Sequence, residues 1–268
     1  MYISDEEAFG FRAAAERQRR VIVAIILRNI RTRFFGHGLG FLVAIAWPLL
    51  HSLFIIGLFV FAGRAPPFGE SLVLFVATGS VQFQAFSYMS RFAMMSMLST
   101  KPLLAFPAVK LLDVLFASII LEIVSSAVVI ILMIALGWAF DVPMWPRDIV
   151  EAAAAYACVT LLGVGFGLLN GVIALAAPMW AMLYTLVIIL LYATSSTIFV
   201  PTALAEPLQT FASYHPVLQM IEWMRYAYYE GYSDHVLDRT YAVGVSLVSV
   251  FLGLALERGM RGWLLASR

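Results

Sequence analysis

Six apolar stretches, most at or above the ~20 residues a helix needs to cross a ~30 Å hydrocarbon core, decide what this chain can fold into. They run Leu39–Ala62, Leu72–Phe92, Leu111–Leu136, Ala152–Ala177, Met182–Val200 and Tyr241–Leu256, the last borrowing from Val236–Thr240. Each is continuous and lacks the alternation of a barrel strand, so helices are the expectation. The chain is predicted to be an all-α membrane protein with six transmembrane helices. With 62% hydrophobic and 12% charged residues it falls outside the range of soluble globular domains. Little sequence is left over for a large extramembrane domain.

The basic residues orient these spans. Thirteen of the seventeen lie in 1–38, 91–110 and 257–268, whereas the intervening pieces carry only Arg64, Arg147, Arg225 and Arg239. Positive charge concentrates on the cytoplasmic side, so both termini are expected inside. Arg17, Arg20, Arg28 and Arg31 project within an arc of about 80° on a helix, beside the apolar run Val21–Leu27. That pairing predicts an N-terminal amphipathic helix on the membrane surface, with its arginines on anionic headgroups. The whole chain, 1–268, reads as one membrane domain. Residues 1–38 form the cytoplasmic amphipathic segment, 39–200 spans one to five, and 201–240 an outer connection. Residues 241–256 form span six and 257–268 a cytoplasmic tail. Ala62-Gly63-Arg64-Ala65 resembles a signal cleavage site, but the preceding cationic and apolar runs are too long for a signal peptide.

The outer connection, Pro201–Thr240, is too polar to span and too apolar to be a free loop. Val217, Met220, Ile221 and Met224 recur at helical spacing, and Pro201, Pro207 and Pro216 divide the segment. Short re-entrant helices dipping into the outer half of the membrane fit this pattern; an aromatic belt built from Trp223, Tyr226, Tyr228, Tyr229 and Tyr232 also fits. Glu222 and Arg225, three residues apart, are expected to pair on one short helix. On the cytoplasmic side, Arg91–Lys110 combines Met94, Met95, Met97 and Leu98 with Lys101-Pro102 and Phe106-Pro107, a compact docking loop.

Enzyme chemistry is hard to place. No G-x-x-x-x-G-K-[ST], H-E-x-x-H or G-x-S-x-G occurs, the four histidines are scattered, and Cys158 is the single cysteine. No metal and no catalytic residue is expected. A net charge of +1 gives no reason to expect a nucleic-acid partner. Gly163, Gly165, Gly167 and Gly171 lie within an apolar helix and read as close helix packing. Asp113 and Glu122 are the carboxylates well inside a predicted span. Nine residues apart, they point to opposite faces, Asp113 as an interface anchor and Glu122 either paired or in a transport path. Trp180, Tyr184, Tyr192 and Phe199 fall within about 120° on the fifth span, with Ser195 and Ser196 beyond them. This stripe suits either helix packing or the C–H faces of sugars. Span two adds Gln82, Gln84, Ser87 and Tyr88.

The residues as a set resemble the capsular polysaccharide export permeases, the membrane subunits of two-component ABC exporters of the polysaccharide and polyol-phosphate type. The resemblance begins with Arg28-Asn29-Ile30-Arg31-Thr32-Arg33-Phe34, Leu39-Gly40-Phe41 and Pro48-Leu49-Leu50-His51. It continues through Lys101-Pro102, Lys110, Asp113 and Leu121-Glu122, then through His215–Arg225 and Gly231-Tyr232. Two positions depart from the family's pattern: Trp47 replaces an acid often found before the first-span proline, and His215 stands where asparagine is usual.

The resemblance implies a homodimer in a bacterial inner membrane, bound to two cytosolic ATPase subunits that carry the ATP and magnesium. It further implies a lipid-linked acidic polysaccharide as cargo and an envelope-spanning export partner. O-antigen or teichoic acid export is the nearest alternative, and a membrane-embedded lipid-modifying enzyme a more distant one. On this reading Arg28, Arg31, Arg33, Ser99, Lys101 and Lys110 are the expected coupling residues. Trp47, Tyr88, Trp180, Tyr184, Tyr192 and Phe199 are the expected wall of a path between two copies.

Overall fold

The computed structural model describes residues 5–32, 40–99 and 109–266. Among them are nine α-helices and no strand. In chain order they are α1 (Asp5–Thr32), α2 (Gly40–Phe61), α3 (Leu72–Ser99), α4 (Leu111–Ala139), α5 (Ile149–Ala176), α6 (Trp180–Thr194), α7 (Glu206–Ser213), α8 (Pro216–Tyr228) and α9 (Arg239–Ala266). Five contain stretches long and apolar enough to cross a membrane: Leu42–Phe61, Leu72–Ser99, Leu111–Ala139, Ile149–Ala176 and Arg239–Met260.

Local chemistry sets the helix starts. Asp148 caps α5, its Oδ1 accepting from the Val150 and Glu151 amides at 2.9 and 3.0 Å. Asp113 folds back to accept from the Lys110 amide at 2.9 Å at the start of α4. Pro207 and Pro216 occupy the first turns of α7 and α8, where the missing N–H has no partner to lose.

The sixth apolar helix differs from expectation. Span five is predicted over Met182–Val200, but α6 has 15 residues, about 22 Å at the usual rise and short of a ~30 Å core. It stops where hydroxyls crowd the backbone. Thr194 Oγ1 donates to Leu190 O at 2.9 Å, Ser195 Oγ to Tyr192 O at 3.0 Å, and Ser196 turns to φ +60°. Such side chains offer the backbone local alternatives to a helical ladder. The chain then reverses through a 3₁₀ turn, Pro201–Ala203, into α7 and α8.

At the centre, α5 lies between α3 and α9, and its glycines permit the approach. A Cβ on Gly163 would stand 2.8 Å from Met89 Cβ of α3; one on Gly167 would collide with Ala93, one on Gly171 with Met97, and one on Gly165 with Ser249 of α9. Three glycines thus face α3 and the fourth α9. Around this core, α4 flanks α3, α2 rests on α3 and α4, and α8 leans into α3 and α5. Phe83, Phe86, Val159, Leu162, Tyr184 and Met220 form the main apolar cluster. The apolar side of α1, Val21, Ile22, Ile25 and Ile26, packs on Val114 and Ala117 of α4 and on Val109 just before it.

Candidate functional site

Three regions hold the residues that sequence reasoning singles out, and α8 is the most tightly built. Its apolar positions Val217, Met220 and Ile221 are fully buried, yet the same helix carries Gln219, Glu222 and Arg225, all at most 3% exposed. Burial on that scale calls for hydrogen-bond partners, and of these three side chains only Arg225 Nε has none among the described residues. Arg225 Nη1 donates to Phe199 O at 3.0 Å and to Glu222 Oε1 at 3.3 Å, and Nη2 donates to Thr197 O at 2.9 Å. The guanidinium carbon lies 3.8 Å from the Phe75 ring centroid, a cation–π contact in a desolvated setting. Glu222 in turn accepts from Ser196 Oγ and Tyr232 Oη, each at 2.9 Å. The pair therefore fastens α8 to the reversal after α6, to α3, and to the segment leading into α9. Gln219 completes the link: it donates to Ser213 O and Val236 O at 2.7 and 2.8 Å and accepts from the Asp238 amide at 2.7 Å.

His215 caps α8, the task asparagine commonly performs at a helix N-terminus. Its Nδ1 accepts from the Leu218 amide at 3.0 Å and its Nε2 lies 3.1 Å from Thr194 Oγ1. Only the neutral ring can accept at Nδ1, and burial holds the imidazole pKa below its ordinary value. A depressed histidine contributes stability that is complete above the unfolded pKa, near 6.5, and lost as pH falls below it. Thermal unfolding in detergent at pH 7.5 and 5 checks this. His215→Asn should match the wild type at pH 7.5 and lose less stability than it on acidification.

The predicted aromatic wall is divided by the structure. Tyr184 is 1% exposed and donates to Ser90 Oγ of α3 at 2.9 Å. Trp180 Nε1 donates to Asn170 Oδ1 of α5 at 2.7 Å. Tyr192 meets Phe83 edge-on, centroids 4.9 Å apart, and Phe199 supplies the carbonyl that Arg225 holds. The stripe of α6 is thus turned onto α3 and α5 within one copy: Tyr184 and Trp180 find polar partners there, while Tyr192 packs through its ring and its hydroxyl has no partner among the described residues. Trp47 of α2 is different, at 64% exposed. Tyr88 is half-buried, its hydroxyl 3.5 Å from His51 Nδ1. Ser90 and Asn170, which seat the stripe, carry no sequence signal beyond being polar in an apolar helix.

At the end expected to face the cytoplasm, Arg28 and Arg31 are exposed along α1, and Ser99 and Lys110 are exposed at the end of α3 and the start of α4. Asp113 is 1% exposed, accepts from Gln18 of α1 as well as from the Lys110 amide, and so anchors α1 to α4. The expected coupling residues Arg33 and Lys101 lie outside the described residues, as does most of the Arg91–Lys110 loop beyond Ser99. Further out on α1, the guanidinium groups of Arg19 and Arg20 hold the Glu16 carboxyl below its usual range. No group of three or more potential metal-ligating side chains occurs among the described residues.

No family model matches the chain. It is similar to individual curated proteins along most of its length. The polysialic acid transport protein KpsM of Escherichia coli is 26% identical over 247 residues, 92% of this chain and 96% of that protein. The capsule polysaccharide export inner-membrane protein CtrC of Neisseria meningitidis serogroup B is 28% identical over 244 residues, 89% of this chain and 90% of its own. The capsule polysaccharide export inner-membrane protein BexB of Haemophilus influenzae is 27% identical over 224 residues, 82% and 83% of the two chains.

Proposed function

We propose that this chain is the membrane-spanning subunit of an ATP-driven exporter that carries a lipid-linked capsular polysaccharide across the bacterial inner membrane. The observation that carries the reading is the end-to-end similarity to curated capsule export inner-membrane proteins, with nine-tenths of both chains aligned. The resemblance seen in the residues alone points the same way. ATP and magnesium belong to two cytosolic ATPase subunits, and this chain contributes path and coupling surface. Both termini face the cytoplasm, α1 lies on the membrane surface, and α6 serves as the sixth, shortened span. The reversal after α6 with α7 and α8 dips into the outer half of the membrane. The exposure of Leu208 and Phe211 on α7 supports that placement, since such side chains favour an apolar surrounding. The test is deletion of the gene in its own host. Polymer should then accumulate inside the cell and return to the surface on complementation. Normal surface polymer in the deletion strain contradicts the reading.

One copy has few helices with which to enclose a hydrated polymer, and two copies about a two-fold axis have enough. Trp47 is the expected aromatic contact on the path, its exposed ring suited to sugar faces, with Tyr88 beneath it. Tyr184 supports the fold instead. Trp47→Ala should reduce export several-fold at unchanged thermal stability. Tyr184→Phe, which removes the hydrogen bond to Ser90 Oγ and leaves that hydroxyl donating to Ser87 O, should cost about 1 kcal/mol in unfolding experiments and leave export per folded molecule intact.

The cytoplasmic loop after α3 is the proposed coupling element, with Arg28 and Arg31 of α1, Arg33, Ser99, Lys101 and Lys110 around it. Inserting two glycines after Ser99 should abolish polymer export while leaving membrane insertion and thermal stability unchanged. Export at the normal rate assigns coupling to another surface.

A further inference from the structure

Helices α4 and α5 both pack on α3 but scarcely touch each other. Between them lies a cavity of about 260 Å³, lined by all three helices, by α8 and by the connection after α4. Along α3 its lining runs from Leu74 to Gln82, about 12 Å at the usual helical rise. Met133 of α4 and Ile149 and Ala153 of α5 belong to it as well, and it reaches the surface at the last two, which are exposed. Three of the polar side chains in the lining are engaged within the protein. Thr78 Oγ1 donates to Leu74 O, Gln82 Nε2 donates to Ala155 O, and Tyr156 Oη pairs with Ser126 Oγ. The surface left to an occupant is apolar. Close-packed interiors hold few voids larger than a water, and water does not fill one whose walls offer it no partners. A long apolar cleft in the spans suits a hydrocarbon chain better than a sugar ring.

The mouth carries the marks of the headgroup level. Trp138, Phe140 and Trp145 are strongly exposed around the end of α4 and the connection after it, a set that fits the membrane–water interface. Arg147, next to the lining residue Pro146, is exposed and enters no ion pair among the described residues. Of the acids nearby, Asp148 is turned into the α5 cap, Glu151 binds Trp223 and Arg239, and Asp141 lies in the turn after α4. We infer that this cavity is a binding site for a bilayer phospholipid, with one acyl chain lying along α3 between α4 and α5 and the phosphate held by Arg147. The chain joins two spans that the protein's own side chains leave apart. Lipid tails are as apolar as the wall, so the shape of the cleft and the guanidinium–phosphate contact, a charge-assisted one, set this lipid apart from the surrounding bilayer. The inference is independent of the export reading.

The experiment places the full chain in phospholipid vesicles with a trace of phosphatidylglycerol that carries a diazirine midway along one acyl chain. After illumination, peptide mass spectrometry maps the adducts. Labelling of Met133 and Ala153 should exceed several-fold that of Leu247 and Val248, which are exposed on α9 and report ordinary bilayer contact. Ala153→Phe, which puts a ring into the cleft, and Arg147→Gln, a change at an exposed site, should each lower the cavity adducts several-fold and leave those on α9 alone. Excess lipid-linked polysaccharide should not displace the probe; displacement assigns the cleft to the cargo's lipid anchor and overturns the inference. Equal labelling of the cavity and α9, or cavity adducts unchanged in either variant, overturns it as well.

Discussion

Arg225→Gln is expected to destabilise the protein by about 3–5 kcal/mol, the range found when one member of a buried ion pair is removed. The side chain is 0% exposed, and its loss strands Glu222 together with the carbonyls of Thr197 and Phe199. Glu222→Gln should destabilise as well, since it leaves a guanidinium uncompensated in the interior. Arg225→Lys is expected to fail nearly as fully as glutamine, because an ammonium cannot reproduce the planar fork that reaches both carbonyls and the carboxylate. The double variant Glu222→Gln with Arg225→Gln should recover part of the loss by removing both charges. Thermal unfolding of the wild type, the two glutamine variants and their double variant, read as a double-mutant cycle, measures the coupling. Wild-type midpoints in both single variants would place the fastening of α8 elsewhere.

Gly167→Val is expected to be comparably severe. A Cβ there would collide with Ala93 and come within 2.9 Å of Ser90 O on α3. Backbone does not yield as a flexible side chain can, so α3 and α5 must part. Overpacking of this kind costs about 1–3 kcal/mol, and more where backbone blocks the way. Gly167→Ala combined with Ala93→Gly should recover part of the stability of Gly167→Ala, because Ala93 Cβ is the first obstacle. Gly244→Ala serves as the control: nothing lies within 4 Å of its added Cβ, and alanine is the better helix former, so the midpoint should hold or rise. If Gly167→Val and Gly244→Ala unfold alike, close packing at α3–α5 is not what holds the core.

Much of this architecture is legible in the chain because the bilayer simplifies the problem. Long apolar runs permit few structures other than helices, and the glycines of α5 can hardly serve a nucleotide without a preceding strand. The spacing of Glu222 and Arg225 likewise places them side by side on one helix. What could not be read is how the short elements close on one another. The apolar run through Met182–Val200 hides the end of α6, which depends on where the hydroxyls of Thr194 and Ser195 find backbone partners. Helical spacing groups Trp180, Tyr184 and Tyr192 on one side, but periodicity does not say what that side faces. The answer lies in Ser90 and Asn170, distant in sequence and unremarkable in composition. Arg225's other partners are backbone carbonyls, which no residue pattern encodes.

The central claim, that this chain is a polymer path driven by a separate ATPase, is tested most directly in proteoliposomes. The purified chain is reconstituted alone and together with a cytosolic ATPase subunit that co-purifies with it from its own host, and labelled lipid-linked polysaccharide crossing the bilayer is measured with and without ATP. The chain alone should neither hydrolyse ATP nor move polymer, and the two together should move polymer only when ATP is supplied. Polymer movement that needs no ATPase, or none when both proteins, ATP and polymer are present, would contradict the account.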